Sequence, residues 1–108
     1  MLRRGQNDGW VDFQQVNRHA LAVLPSLLRR WLPGGRLEGA EYTARNPTRA
    51  DKLPGSFKVN TRTGRWADFA TREAGGDAIS LAAYLSGCSQ LEAARGLAAM
   101  LGIEAPDG

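Results

Sequence analysis

Between Asp12 and Trp31, apolar residues return at three- and four-residue steps: Phe13, Val16, Ala20, Val23, Leu24, Leu27, Leu28 and Trp31. That spacing lines one face of an amphipathic helix, and Asp12 is placed to cap its first turn. Pro25 falls inside the run, where its ring removes a backbone hydrogen bond and crowds the preceding turn. The pattern predicts a helix over 12–23 and a second short one from Pro25, or a single kinked helix, stopped by Pro33-Gly34-Gly35.

The period then changes. Residues 39–44, GAEYTA, form an extended candidate, followed by the loop RNPTRADKLPG. Over 56–60 the chain alternates, with Phe57 and Val59 on one face and Ser56, Lys58 and Asn60 on the other. Thr61-Arg62-Thr63-Gly64 suits a tight hairpin connection, with Gly64 free to take positive φ. Residues 65–70 form the return strand, with Trp66 and Asp68 on one side and Ala67 and Phe69 on the other.

Gly75-Gly76-Asp77 opens a further helix, with Asp77 as its cap and Ile79, Leu81, Ala82 and Leu85 as its apolar side; Gly87 stops it. Ser89-Gln90-Leu91-Glu92 is a capping box for a last helix that turns Leu91, Ala94, Leu97, Ala98 and Leu101 inward and ends at Gly102. The predicted class is α+β: a small antiparallel sheet of about three strands, framed by an N-terminal helix and two C-terminal helices. Residues 1–11 read as a flexible lead-in, 12–103 as one domain and 104–108 as a tail or linker.

Composition narrows the functional classes. No apolar run approaches the ~20 residues a membrane span needs, and the N-terminal arginines have no apolar segment behind them, so a secretory signal is not expected. With Cys88 as the only cysteine, neither an internal disulfide nor a cysteine-built zinc site is available to this chain alone. A cytoplasmic setting of bacterial or phage type fits these features.

The net charge of +3 is unevenly spread. Residues 45–72 carry Arg45, Arg49, Lys52, Lys58, Arg62, Arg65 and Arg72 against Asp51 and Asp68, a local charge of +5, whereas residues 73–108 carry −4. A clustered basic segment favours a polyanion. Arginine and lysine neutralise phosphates, and exposed aromatics stack on unpaired bases. Trp66, beside Arg65, is open to two readings, core residue or stacking platform. Phe57, Phe69 and Tyr42 are expected in the core.

Catalysis is not expected. The acids are scattered and mostly at helix starts, unlike a cluster that holds magnesium. There is no phosphate-binding loop ending in Lys-Ser/Thr and no nucleophile–base pair. His19 reads as a helix-surface residue, Cys88 as packing and Asp77 as a cap.

Taken in order, GRLEGAEYTARNPTR, PGSFKVN, TGRWADF, GGDAISLAAYL and a last helix ending in LGI resemble the N-terminal zinc-binding domain of bacterial and phage DNA primases, over residues 12–103. The resemblance implies a zinc-ribbon-like sheet and an accessory role in engaging single-stranded template, with polymerisation carried by a separate catalytic domain. Its departure is at the metal. Where that family places a cysteine and a histidine, then two cysteines, this chain has approximately Asn46 and Arg49, then Asp68 and Thr71. None is a thiolate or an imidazole.

The reading is therefore a degenerate ribbon without zinc or any other cofactor. It is expected to belong to a DNA primase or primase-helicase of a phage, plasmid or bacterium. Its expected partners are single-stranded DNA and catalytic primase or helicase domains, with no membrane. The nucleic-acid surface is assigned to Arg45, Arg49, Lys52, Lys58, Arg62, Arg65, Trp66 and Arg72. The alternative is a protein-interaction module that docks a helicase or polymerase domain through its acidic last helix. In place of zinc, which can supply ~10 kcal/mol or more of folding free energy, two substitutes are expected. They are an Arg49–Asp68 ion pair and an aromatic core worth ~1.5–3 kcal/mol per buried large side chain.

Overall fold

A computed structural model describes residues 11–49 and 55–103. The flexible lead-in (except Val11), the 104–108 tail and Lys52 lie outside the described residues. Helix α1 (Phe13–Ala22) starts where the sequence says it should: the Asp12 side chain accepts a hydrogen bond from the Gln15 amide. Pro25 resolves the expected break into two helices, because it sits in the first turn of α2 (Leu24–Trp31), where its missing N–H costs nothing.

Five strands follow in chain order, not three: β1 (Arg36–Glu38), β2 (Glu41–Ala44), β3 (Phe57–Asn60), β4 (Trp66–Asp68) and β5 (Glu73–Gly75). They form one antiparallel sheet in the order β1-β2-β3-β4-β5. The extended candidate over 39–44 begins with a turn, not a strand, because Gly39 takes φ +60 and reverses the chain from β1 into β2. Gly75, expected to open a helix, instead ends β5 opposite Trp66. The β3–β4 hairpin is as predicted, with Gly64 at φ +83 and Asn60 Oδ1 accepting from the Arg62 and Thr63 amides at 2.8 and 3.1 Å.

Helices α3 (Ala78–Ser86) and α4 (Gln90–Met100) carry full capping boxes at Asp77/Ser80 and Ser89/Glu92. The Ser89 amide and hydroxyl hold the Glu92 carboxyl below its usual range. Asn17 ties α1 to the start of α3, donating to Asp77 Oδ2 at 3.0 Å and accepting from the Ile79 amide at 3.0 Å. Among the described residues, no helix is long and apolar enough to cross a membrane.

The core lies between the helices and one face of the sheet. Val16, Ala20, Leu24, Leu27 and Leu28 meet Ile79, Leu81, Ala94 and Leu97, and β2–β4 contribute Tyr42, Ala44, Phe57, Val59 and Trp66. Tyr42 seals the end of α2 by donating to the Leu32 carbonyl at 2.8 Å. Four expected core positions face out: Phe13 and Leu91, on the first turns of their helices, Val23, at the junction of α1 and α2, and Phe69, which is 67% exposed. Phe69 lies one residue beyond β4, on the face pointing away from the helices.

Candidate nucleic-acid interface

The two faces of the sheet have different chemistry, and register decides which residue goes where. Inward-facing Phe57, Trp66 and the α3 residue Tyr84 form an aromatic cluster. Trp66 lies 4.8 Å and Phe57 6.1 Å from the Tyr84 ring, centroid to centroid. The Trp66 indole N–H donates to Ser80 Oγ at 2.9 Å. Trp66 is 5% exposed, so its stacking role is corrected: its ring is packed into the core and leaves no face for a base.

At the end of the sheet where the β2–β3 and β4–β5 connections meet, the aromatic cluster gives way to a polar network. Asp68 is fully buried. Its Oδ2 accepts from Arg49 Nε at 3.0 Å and Asn46 Nδ2 at 2.7 Å. Its Oδ1 accepts from Arg49 Nη2 at 3.3 Å and the Ala70 amide at 2.8 Å. Arg49 also reaches Ser56 Oγ at 3.1 Å. Asn46, itself buried, donates to the Tyr84 hydroxyl at 2.8 Å, and that hydroxyl donates to Glu73 Oε1 at 2.7 Å.

Desolvation alone would raise the Asp68 pKa, but the hydrogen bonds from Arg49, Asn46 and the Ala70 amide outweigh it and hold the carboxyl well below the usual range. The expected Arg49–Asp68 pair is therefore present, in side-on two-point geometry.

Of the four positions compared with a ligand set, the fold brings Asn46, Arg49 and Asp68 together. Thr71 stays at the surface, 3.4 Å from Glu73. These residues do not fit a zinc ion. A permanent guanidinium lies against both oxygens of the one carboxylate, whose lone pairs are already taken, and asparagine and threonine offer only weak neutral oxygens. Among the described residues, no three His, Cys, Asp or Glu side chains are grouped to hold a metal.

The remaining predicted residues divide by position. Arg49 is corrected from surface cation to structural partner, since its guanidinium is engaged by Asp68 and Ser56. Arg45 and Arg72 are exposed at the network end of the sheet, Arg62 and Arg65 are exposed at the opposite end, and Lys58 projects between them. Lys58 lies 3.5 Å from Glu41. Among the described residues, no ion pair engages Arg62, Arg65 or Arg72. Arg72 holds φ +70, a left-handed conformation that disfavours side chains.

Sequence reasoning missed Tyr84 and Glu73 as network members and Phe69 as a surface residue. The signal for Tyr84 was its place four residues after Ser80, which puts both on the α3 face toward the sheet.

No protein-family model matches the chain, and no curated protein sequence does. Among solved structures, the zinc-binding and RNA polymerase domains of the Aquifex aeolicus primase superpose with a TM-score of 0.69 at 23% identity, over 90% of this chain. The chain corresponds to 23% of that protein's length. At that identity the likeness is one of fold: the helices and five-stranded sheet described above are arranged as in part of a primase.

Proposed function

We propose that this chain is an accessory nucleic-acid-binding domain of a DNA primase or primase-helicase, engaging single-stranded template while a separate catalytic domain makes the primer. The observation that carries the reading is the outer face of the sheet, where Arg65 and Lys58 line one groove and Arg62 is exposed on the β3–β4 turn at its end, on a primase-like fold. Arg45 and Arg72 extend that surface at the other end. In this reading the domain is a degenerate zinc ribbon, with the Asn46–Asp68–Arg49 network filling the place of the metal. A cytoplasmic setting in a bacterial, phage or plasmid replication system goes with it.

Binding of a labelled single-stranded oligonucleotide at low salt tests the reading. Wild-type protein is expected to bind, and Lys58→Glu, Arg62→Glu and Arg65→Glu combined are expected to abolish binding, because three cations become three anions on one face.

A second reading, docking of a helicase or polymerase domain, draws on a separate feature. An apolar groove of about 450 Å³ runs between α3 and α4, lined by residues such as Trp31, Leu85, Leu97 and Met100. Wild-type protein that fails to bind single strands at low salt, yet captures such a domain, would favour it.

A further inference from the structure

Along β4 and its flanks, Arg65, Ala67 and Phe69 occupy alternate positions and share the outer face of the sheet. Across the strands, Lys58 is paired with Ala67 and Ala67 with Ala74. Two alanines side by side leave the middle of this face shallow, and larger residues stand around it. The result is an open groove of about 310 Å³ with Lys58, Asn60, Arg65 and Phe69 among its walls, an edge of the buried Trp66 at its floor and one acid, Glu41, 3.5 Å from Lys58. Phe69 rises at one end with two thirds of its surface in water. Arg65 stands at the other, four residues away, or roughly 13 Å along an extended chain.

We propose that this groove holds an unpaired base of a single strand, stacked on the Phe69 ring, with the neighbouring phosphates on Arg65 and Lys58. The proposal rests on the single-strand reading above and adds the residue that would distinguish an unpaired strand from polyanions in general. Charge selects the occupant: Lys58 and Arg65 outnumber the single acid Glu41, Arg65 has no ion-pair partner among the described residues, and an exposed aromatic beside them suits an anionic chain with flat apolar faces, not an apolar peptide.

The backbone that carries the ring is also held. The Phe69 amide donates to the Ser56 carbonyl at 2.8 Å, the next amide is held by Asp68 Oδ1, and the Arg72 amide returns to the Asp68 carbonyl at 2.7 Å. The buried Asp68 network thus braces the loop that carries the ring, so little loop freedom is left to lose on binding. Small residues at 67 and 74 keep the stacking face open.

The test compares a labelled oligothymidylate with an abasic single strand of equal length, using wild type, Phe69→Ala and Phe69→Trp. Phe69 makes no core contact, so both variants are expected to fold as wild type does. Phe69→Ala should weaken oligothymidylate binding by roughly fivefold to a hundredfold, the range of one lost stacking contact. It should leave abasic-strand binding unchanged, and Phe69→Trp should restore base-dependent affinity. If Phe69→Ala binds both strands as wild type does, the stacking role is overturned while the charge-based reading stands. If wild type binds neither strand at low salt, both are overturned.

Discussion

Asp68 accepts four hydrogen bonds without exposing any surface to water. An ionised carboxylate in that position is tolerable only because a guanidinium and two neutral donors replace its hydration. Its lowered pKa sets the sign of a pH effect. A carboxyl with a folded pKa below its unfolded value of about 3.9 contributes stability above that value, and the contribution is lost as pH falls from about 5 toward the folded pKa.

Wild-type melting temperature should therefore drop across that acid range, and Asp68→Asn should flatten the drop. At neutral pH the same substitution should cost about 2–3 kcal/mol, less than the fully buried limit because Arg49 keeps 31% of its side chain in water. Parallel pH–melting curves for the two proteins would contradict this account of Asp68. The pairing of Arg49 with Asp68 could be expected from position alone, since the two stand where the resembled family has ligands facing each other. The part played by Asn46 could not, because a neutral donor carries no charge to mark it, and Tyr84 was marked only by its place four residues after Ser80.

Among the elements, legibility followed burial. The β3–β4 hairpin and all four helices carry a strong period or a cap, so their residues announce them. The β1 strand is exposed at all three of its positions, which leaves no alternation to read, and β5 is three residues long and ends in glycine. Edge strands of this kind are recruited by their neighbours' hydrogen bonds and not by their own side chains. Phe69 was misplaced for a related reason: aromatic residues are usually buried in a small domain, and one residue past the end of β4 the strand's alternation turns the ring to the outer face.

The same elements bear on metal. If the Arg49–Asp68 network and the Phe57–Trp66–Tyr84 cluster hold the two connections together, the melting temperature should be unchanged by a strong chelator and by added zinc. Loss of cooperative unfolding in chelator, restored by zinc, would count against a metal-free ribbon.

For the molecule as a whole, the sheet separates a sealed side from an open one. The helices cover Phe57, Val59 and Trp66, while the opposite face presents Arg65, Lys58 and Phe69 with Arg62 and Arg72 at its two ends. The uneven charge along the chain made a basic surface visible in the sequence, but pairing with Asp68 withdraws Arg49 from it, and the strand alternation turns Trp66 inward and Phe69 outward.

The most direct measurement is the affinity of the wild-type domain for a short single-stranded oligonucleotide over a range of salt concentrations. With about three to five phosphates neutralised, log affinity should fall linearly with log salt at a slope of roughly −2 to −3.5. A slope near zero, or no binding at the lowest salt, would contradict the proposed role.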